Sequence, residues 1–219
     1  MTNFAFITVG SYSIAIAAII GLIRFTRIHK SYQPFIFITI ASLSNEVISH
    51  ILIHYKKSNA ITINLLGLAD ALLWLWQFRR WNGFNKQGFQ FQLAVILMIS
   101  IWIFENLVLG KLFTFSSVYA IVFSFAVVFL SINQLNRQIV EETRNLFTNA
   151  RFLICAGAVL FFTYRILVEC FYLLDMQKSD SFLAHVFSIL AIVNLIVNLL
   201  FALATLWIPE RQKFSLPYY

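Results

Sequence analysis

The sequence predicts an all-α polytopic membrane protein, a bundle of seven transmembrane helices forming a single domain over 1–219, with the N-terminus outside and the C-terminus cytoplasmic. Three observations predict it. The chain is 60% hydrophobic and only 11% charged, with a mean hydropathy of +0.81, whereas a soluble domain is about a quarter charged. Its apolar residues gather into seven runs, about 4–24, 35–55, 60–78, 89–109, 113–133, 152–174 and 184–208. Each run is near the ~20 residues that carry a helix across ~30 Å of hydrocarbon. Finally, the basic residues are partitioned. With the N-terminus outside, eleven Lys and Arg fall in the inner loops and tail and four in the outer loops, which is the positive-inside asymmetry. The net charge of +7 follows from this partition. It is spread over several loops that touch the anionic surface of the lipid bilayer, and it forms no patch suited to nucleic acid.

The first run opens with MTNFAF, which has no basic residue, and its charges come afterwards at Arg24, Arg27 and Lys30. That order reads as an uncleaved anchor, because a signal peptide carries a basic segment before its apolar one.

The second run places Glu46, His50 and His54 at successive intervals of four, with Ser42 one turn earlier. Residues so spaced share one helix face. Two histidines four apart can bind one metal, and a third ligand, for which His185 is a candidate, would complete an open zinc site. The same pattern also fits a hydrogen-bonded polar seam.

The third run carries Asn64 and Asp70 and ends Gln77-Phe78-Arg79-Arg80. It lacks the acid-Arg-aromatic triplet of G-protein-coupled receptors. The fourth carries Glu105 and Asn106. After the fifth, the segment 134–150 mixes Arg137, Glu141, Glu142 and Arg144 with apolar residues, as a helix prolonged into the cytoplasm would.

The sixth run holds Arg165 and Glu169 one turn apart. They can pair with each other, or Arg165 can reach Glu46 or Asp70 on neighbouring helices. Cys155 and Cys170 lie on this same run, ~22 Å apart at ~1.5 Å per residue, too far to bridge. The seventh run holds Asn194 and Asn198, one turn apart and suited to hydrogen bonds between membrane helices. It has no lysine, so a retinal Schiff base is excluded. No proline lies inside a span, and no phosphate-binding or nucleophile motif occurs.

Counting from the span midpoints at ~1.5 Å per residue puts Glu46, Asp70, Arg165 and Asn194 near the midplane. Glu105, Glu169 and His50 come out displaced outward, and His54 and His185 near the outer rim. Ionisable groups at such depth face protein or a wet cavity. Four carboxylates against one arginine cannot all stay charged there: some carry a proton, histidines are charged, or a cation is bound.

The strings ARFLICAGAVLFF at 150–162 and NLIVNLLFALATLW at 194–207, with a fainter match at 42–50 around Glu46, resemble small uncharacterised seven-helix proteins of Bacteroidota. The resemblance implies a bacterial inner membrane and assigns no catalytic residue. Arg165 departs from the small residue such proteins would have there.

The reading favours a non-enzymatic protein whose outward pocket binds or senses a cation, proton or small polar ligand. Glu46, His50, Asp70, Glu105, Arg165, Glu169 and Asn194 are its candidate ligand residues. The loops 79–88 and 134–150 would report to a protein partner. The alternatives are a structural or accessory subunit, oligomeric or channel-forming, and a membrane-embedded zinc hydrolase using His50, His54 and His185.

Overall fold

In lipid a backbone must satisfy its own hydrogen bonds, which a helix does within one segment. The computed structural model, which describes residues 8–55, 58–84, 88–141, 146–174 and 180–211, follows that rule. Its helices are α1 (Thr8–Arg24, broken by a turn at Ser13), α2 (Gln33–His54), α3 (Ala60–Arg80), α4 (Phe89–Ile103), α5 (Ser117–Glu141), α6 (Ala150–Leu173) and α7 (Asp180–Trp207). Six helices among the described residues are long and apolar enough to cross a membrane, and α1 is shorter. This is an all-helical bundle of the membrane type. The residues that face outward agree with it, since Ile23, Leu93, Ile96, Phe125, Phe129 and Leu199 are all exposed.

The predicted spans and observed helices differ most around α5. Residues 113–116, expected in the fifth span, precede the helix: Lys111–Phe113 is a 3-10 turn and Thr114 is extended. At its other end α5 continues to Glu141, eight residues past the apolar run's limit of 133, in keeping with the helix extension expected of the 134–150 segment. Parts of both expected partner loops, 85–87 and 142–145, lie outside the described residues, as do 4–7 of the first span.

Consecutive helices run antiparallel, and their ends are tied by polar side chains. The buried Gln77 of α3 accepts from Phe35 N (2.7 Å) and donates to Ser31 O (2.7 Å), fixing the start of α2. Arg24, the last residue of α1, donates to the carbonyls of Thr205 (2.7 Å), Leu206 and Ile208 (3.1 Å). Those are carbonyls that the end of α7 leaves without helical partners, and a cation there also suits the helix dipole. Arg137 of α5 donates to Asn82 O at 2.8 Å, and Arg151 of α6 stacks over Trp81, 5.4 Å from the ring centroid. One end of the bundle, the basic end, therefore carries Arg24, Arg79, Arg80, Arg137 and Arg151.

Around the bundle, α1 packs on α2 and α7, α2 on α3, α3 on α5, α5 on α6, and α6 on α7. These six close a ring, and α4 lies against its α3–α5 side. The contact of α1 with α7 is close: a Cβ on Gly10 would sit 2.8 Å from Ala191 O. Toward the basic end the ring is filled by aromatic side chains. Trp74 meets Phe162 edge-on (5.6 Å) and Phe78 stacked (5.7 Å), Phe35 meets Phe201 (5.2 Å), and Tyr32 meets Trp81 (5.5 Å). On the far side of this plug the ring is open.

Candidate functional site

The opening is a cavity of about 160 Å³ enclosed by α1, α2, α3, α6 and α7. Polar residues enter it from every one of these helices: Ser11; Ser42, Asn45 and Glu46; Asp70; Arg165; and Asn194 and Asn198. The aromatic rings of Trp74, Phe161, Phe162 and Phe201 make the apolar part of the wall. All four residues that depth counting put at the midplane, Glu46, Asp70, Arg165 and Asn194, thus share one cavity.

Two further spaces adjoin it, one smaller and one larger. A void of about 70 Å³ lies where α2, α3 and α6 meet and shares Ser42, Asn45, Asp70 and Arg165 with the cavity. A vestibule of about 380 Å³ lies between α1 and α2 and shares Ser11 and Glu46. Its other polar residues are Thr8, Tyr12, Ser49, His50 and His54. The Glu46-His50-His54 face is therefore real and looks toward α1. Glu46 stands at the junction of vestibule and cavity, with the Ser11 side chain directed at its carboxylate.

The charges in the cavity are not paired off. Among the described residues the ion pairs within 4 Å are Arg24–Glu210 (3.8 Å) and Lys111–Glu105 (3.3 Å). The intrahelical Arg165–Glu169 pair, one of the two readings of the sequence, is thus not formed. Arg before Glu at this spacing is the weaker orientation on a helix. The charge of Arg165 acts instead on Asp70 across the cavity, and its guanidinium lies 5.9 Å from the Phe123 ring centroid. Three oxygens around these spaces are buried with no hydrogen-bond partner: Asn45 Oδ1, Asp70 Oδ1 and Ser49 Oγ. Buried polar atoms normally find a partner.

The remaining candidates lie elsewhere. Glu105 is buried in a π-helical turn, Phe104–Val108, that continues α4. Its carboxylate accepts from Tyr119 N (2.6 Å) and Val118 N (3.3 Å), the first turn of α5, and meets Lys111 Nζ at 3.3 Å. Glu105 is a cap for α5 and has no place in the cavity. Glu169 is half-buried on α6, and His185 is on the exposed surface of α7. Among the described residues no three His, Cys, Asp or Glu side chains are grouped closely enough to hold a metal ion, so His50, His54 and His185 are not assembled into one centre. Asn198 has a structural task, donating to Gly10 O (3.1 Å) and Ser13 Oγ (2.9 Å), where α1 is broken.

Sequence reasoning missed Ser11, Asn45 and Trp74. Each had a signal: Ser11 lies in an apolar run, Asn45 adjoins Glu46, and Trp74 follows Asp70 by one turn on the same face. Comparison with family models, with curated proteins and with solved structures gives no match.

Proposed function

We propose that this protein is a non-enzymatic receptor of a bacterial inner membrane, which binds a small polar ligand in the cavity between α1, α2, α3, α6 and α7. One observation carries the reading. Glu46, Asp70, Arg165 and Asn194 come from four helices to one cavity, yet Asp70 and Asn45 keep buried oxygens without partners. A polar seam serving only to hold helices together would satisfy such atoms. Oxygens left open at a cavity wall suit an added ligand.

The inner-membrane setting is supported by the partition of basic residues, with the basic end cytoplasmic and the vestibule outward. Transfer of the binding event to a partner at the basic end is supported by the aromatic column that starts at the cavity. It runs from Trp74 through Phe78 to Trp81, with ring centroids 5.7 and 6.2 Å apart, and Trp81 lies under Arg151.

The test is Glu46→Leu. Glu46 has no cation within 4 Å among the described residues, so its removal strands no partner charge, and it relieves a desolvated carboxylate. We expect purified Glu46→Leu to be monodisperse, with a Tm within about 2 °C of wild type or higher, less than ~1 kcal/mol of change. Its ligand response should be lost. A fall of more than ~5 °C, or failure to obtain folded protein, would identify the cluster as structural and end the receptor reading.

A further inference from the structure

We infer that the ligand is a small primary ammonium ion, a short-chain amine in its protonated form, held by Glu46 with Asn45 and Asp70. This rests on the reading of the cavity as a ligand site and goes beyond it by naming the chemical class.

The charge balance comes first. Glu46 and Asp70 bring two carboxyl groups to the cavity and Arg165 one guanidinium. The field of Arg165 falls on Asp70, whereas Glu46 has no cation within 4 Å among the described residues. In low dielectric an unpaired carboxylate is costly, and a monocation beside Glu46 would pair it.

The hydrogen-bond balance points the same way. The buried atoms lacking partners among the residues that line the cavity, Asn45 Oδ1 and Asp70 Oδ1, are both oxygens able to accept. An alkylammonium group offers three N–H donors. A quaternary ammonium offers none and would leave the oxygens as they are.

The walls and volume decide between an organic and an inorganic cation. Rings of Trp74, Phe161 and Phe201 face the same space. Aromatic faces attract ammonium groups and bury a short alkyl chain, but they give a metal ion no oxygen ligands. The cavity of about 160 Å³ matches in size a void of ~150 Å³ that takes up a benzene-sized molecule. The occupant therefore has roughly five to eight heavy atoms on that scale. Its route in is the vestibule, where Glu46 stands at the inner mouth.

The experiment is isothermal titration of the full chain in detergent micelles at pH 7 with four probes of similar size: n-butylammonium, tetramethylammonium, butyramide and butyrate. The expected result is saturable one-site binding of n-butylammonium, at least ten-fold tighter than the other three. Glu46→Gln should weaken it ten-fold or more. Asn45→Ala, which leaves the charge in place, should weaken it about two- to five-fold. Butyramide or tetramethylammonium binding as tightly as the amine would overturn the ammonium assignment and leave the receptor reading standing. So would an unchanged affinity in folded Glu46→Gln. If none of the four binds, the assignment fails, and the stability of Glu46→Leu then decides whether the receptor reading fails with it.

Discussion

The fate of Glu105 shows how one residue's role depends on a coordinate the sequence does not carry. Counting along a helix gives depth, and by depth Glu105 belongs in the outward layer with His50 and Glu169. Its azimuth is set by α4, which lies against the α3–α5 side of the ring, and that turns the carboxylate onto the first turn of α5. There it accepts from the backbone N–H groups of Tyr119 and Val118, a charge-assisted cap aligned with the helix dipole. Asp70 is the converse case, since its depth and its azimuth both bring it to the cavity. The two carboxylates therefore behave differently on removal. Glu105→Ala should cost about 2–3 kcal/mol, the value of hydrogen bonds to a charged group, and lower Tm by roughly 4–10 °C. Butylammonium affinity measured by titration on the folded fraction should stay within about two-fold of wild type. A large affinity loss without a loss of Tm would return Glu105 to the ligand site.

At the scale of elements the sequence was informative wherever one physical force acted alone. Hydrocarbon thickness fixes span length, and α2, α3, α4 and α6 lie where the apolar runs put them. It was less informative where local polar chemistry competes. The stretch 113–116 is apolar enough to join a span, but Asn64 Nδ2 takes the carbonyls of Lys111, Leu112 and Thr114 (3.2, 3.1 and 2.8 Å) and holds that segment out of α5. The turn at Ser13 in α1 is of the same kind. The Ser13 hydroxyl donates to Gly10 O at 2.6 Å while Asn198 donates to both residues. Hydroxyl back-bonding of this sort bends helices. Because Ser11 sits between these two residues and also lines the cavity, the seating of α1 on α7 bears on the site. Gly10→Leu would press its Cβ to 2.8 Å from the Ala191 carbonyl, a backbone atom that cannot swing away, and α1 must shift. Overpacking of this kind costs ~1–3 kcal/mol. We expect a lower Tm together with at least five-fold weaker amine binding in the same titration. Loss of stability with unaltered binding would show that α1 is not a working wall of the cavity.

For the whole molecule, the arrangement that matters is polarity along the bundle axis: arginines at one end, an aromatic plug, then the polar cavity, then the vestibule of His50 and His54. If the basic end is cytoplasmic, as the eleven-to-four partition of Lys and Arg implies, a ligand reaches Glu46 from outside, and the aromatic plug lies between the cavity and the cytoplasm. If the chain sits the other way round, the same cavity samples the cytoplasm, and a partner at the basic end would be an extracellular one. Thiol labelling of intact cells distinguishes the two, on a background with Cys155 and Cys170 changed to Ser. Thr114→Cys, in the exposed connection between α4 and α5, and Arg80→Cys, at the exposed end of α3, report the opposite faces. Thr114→Cys should react with a membrane-impermeant maleimide in intact cells, whereas Arg80→Cys should react only after permeabilisation. The reverse pattern would place the vestibule inside, and the search for the amine would move from the surroundings of the cell to its metabolism.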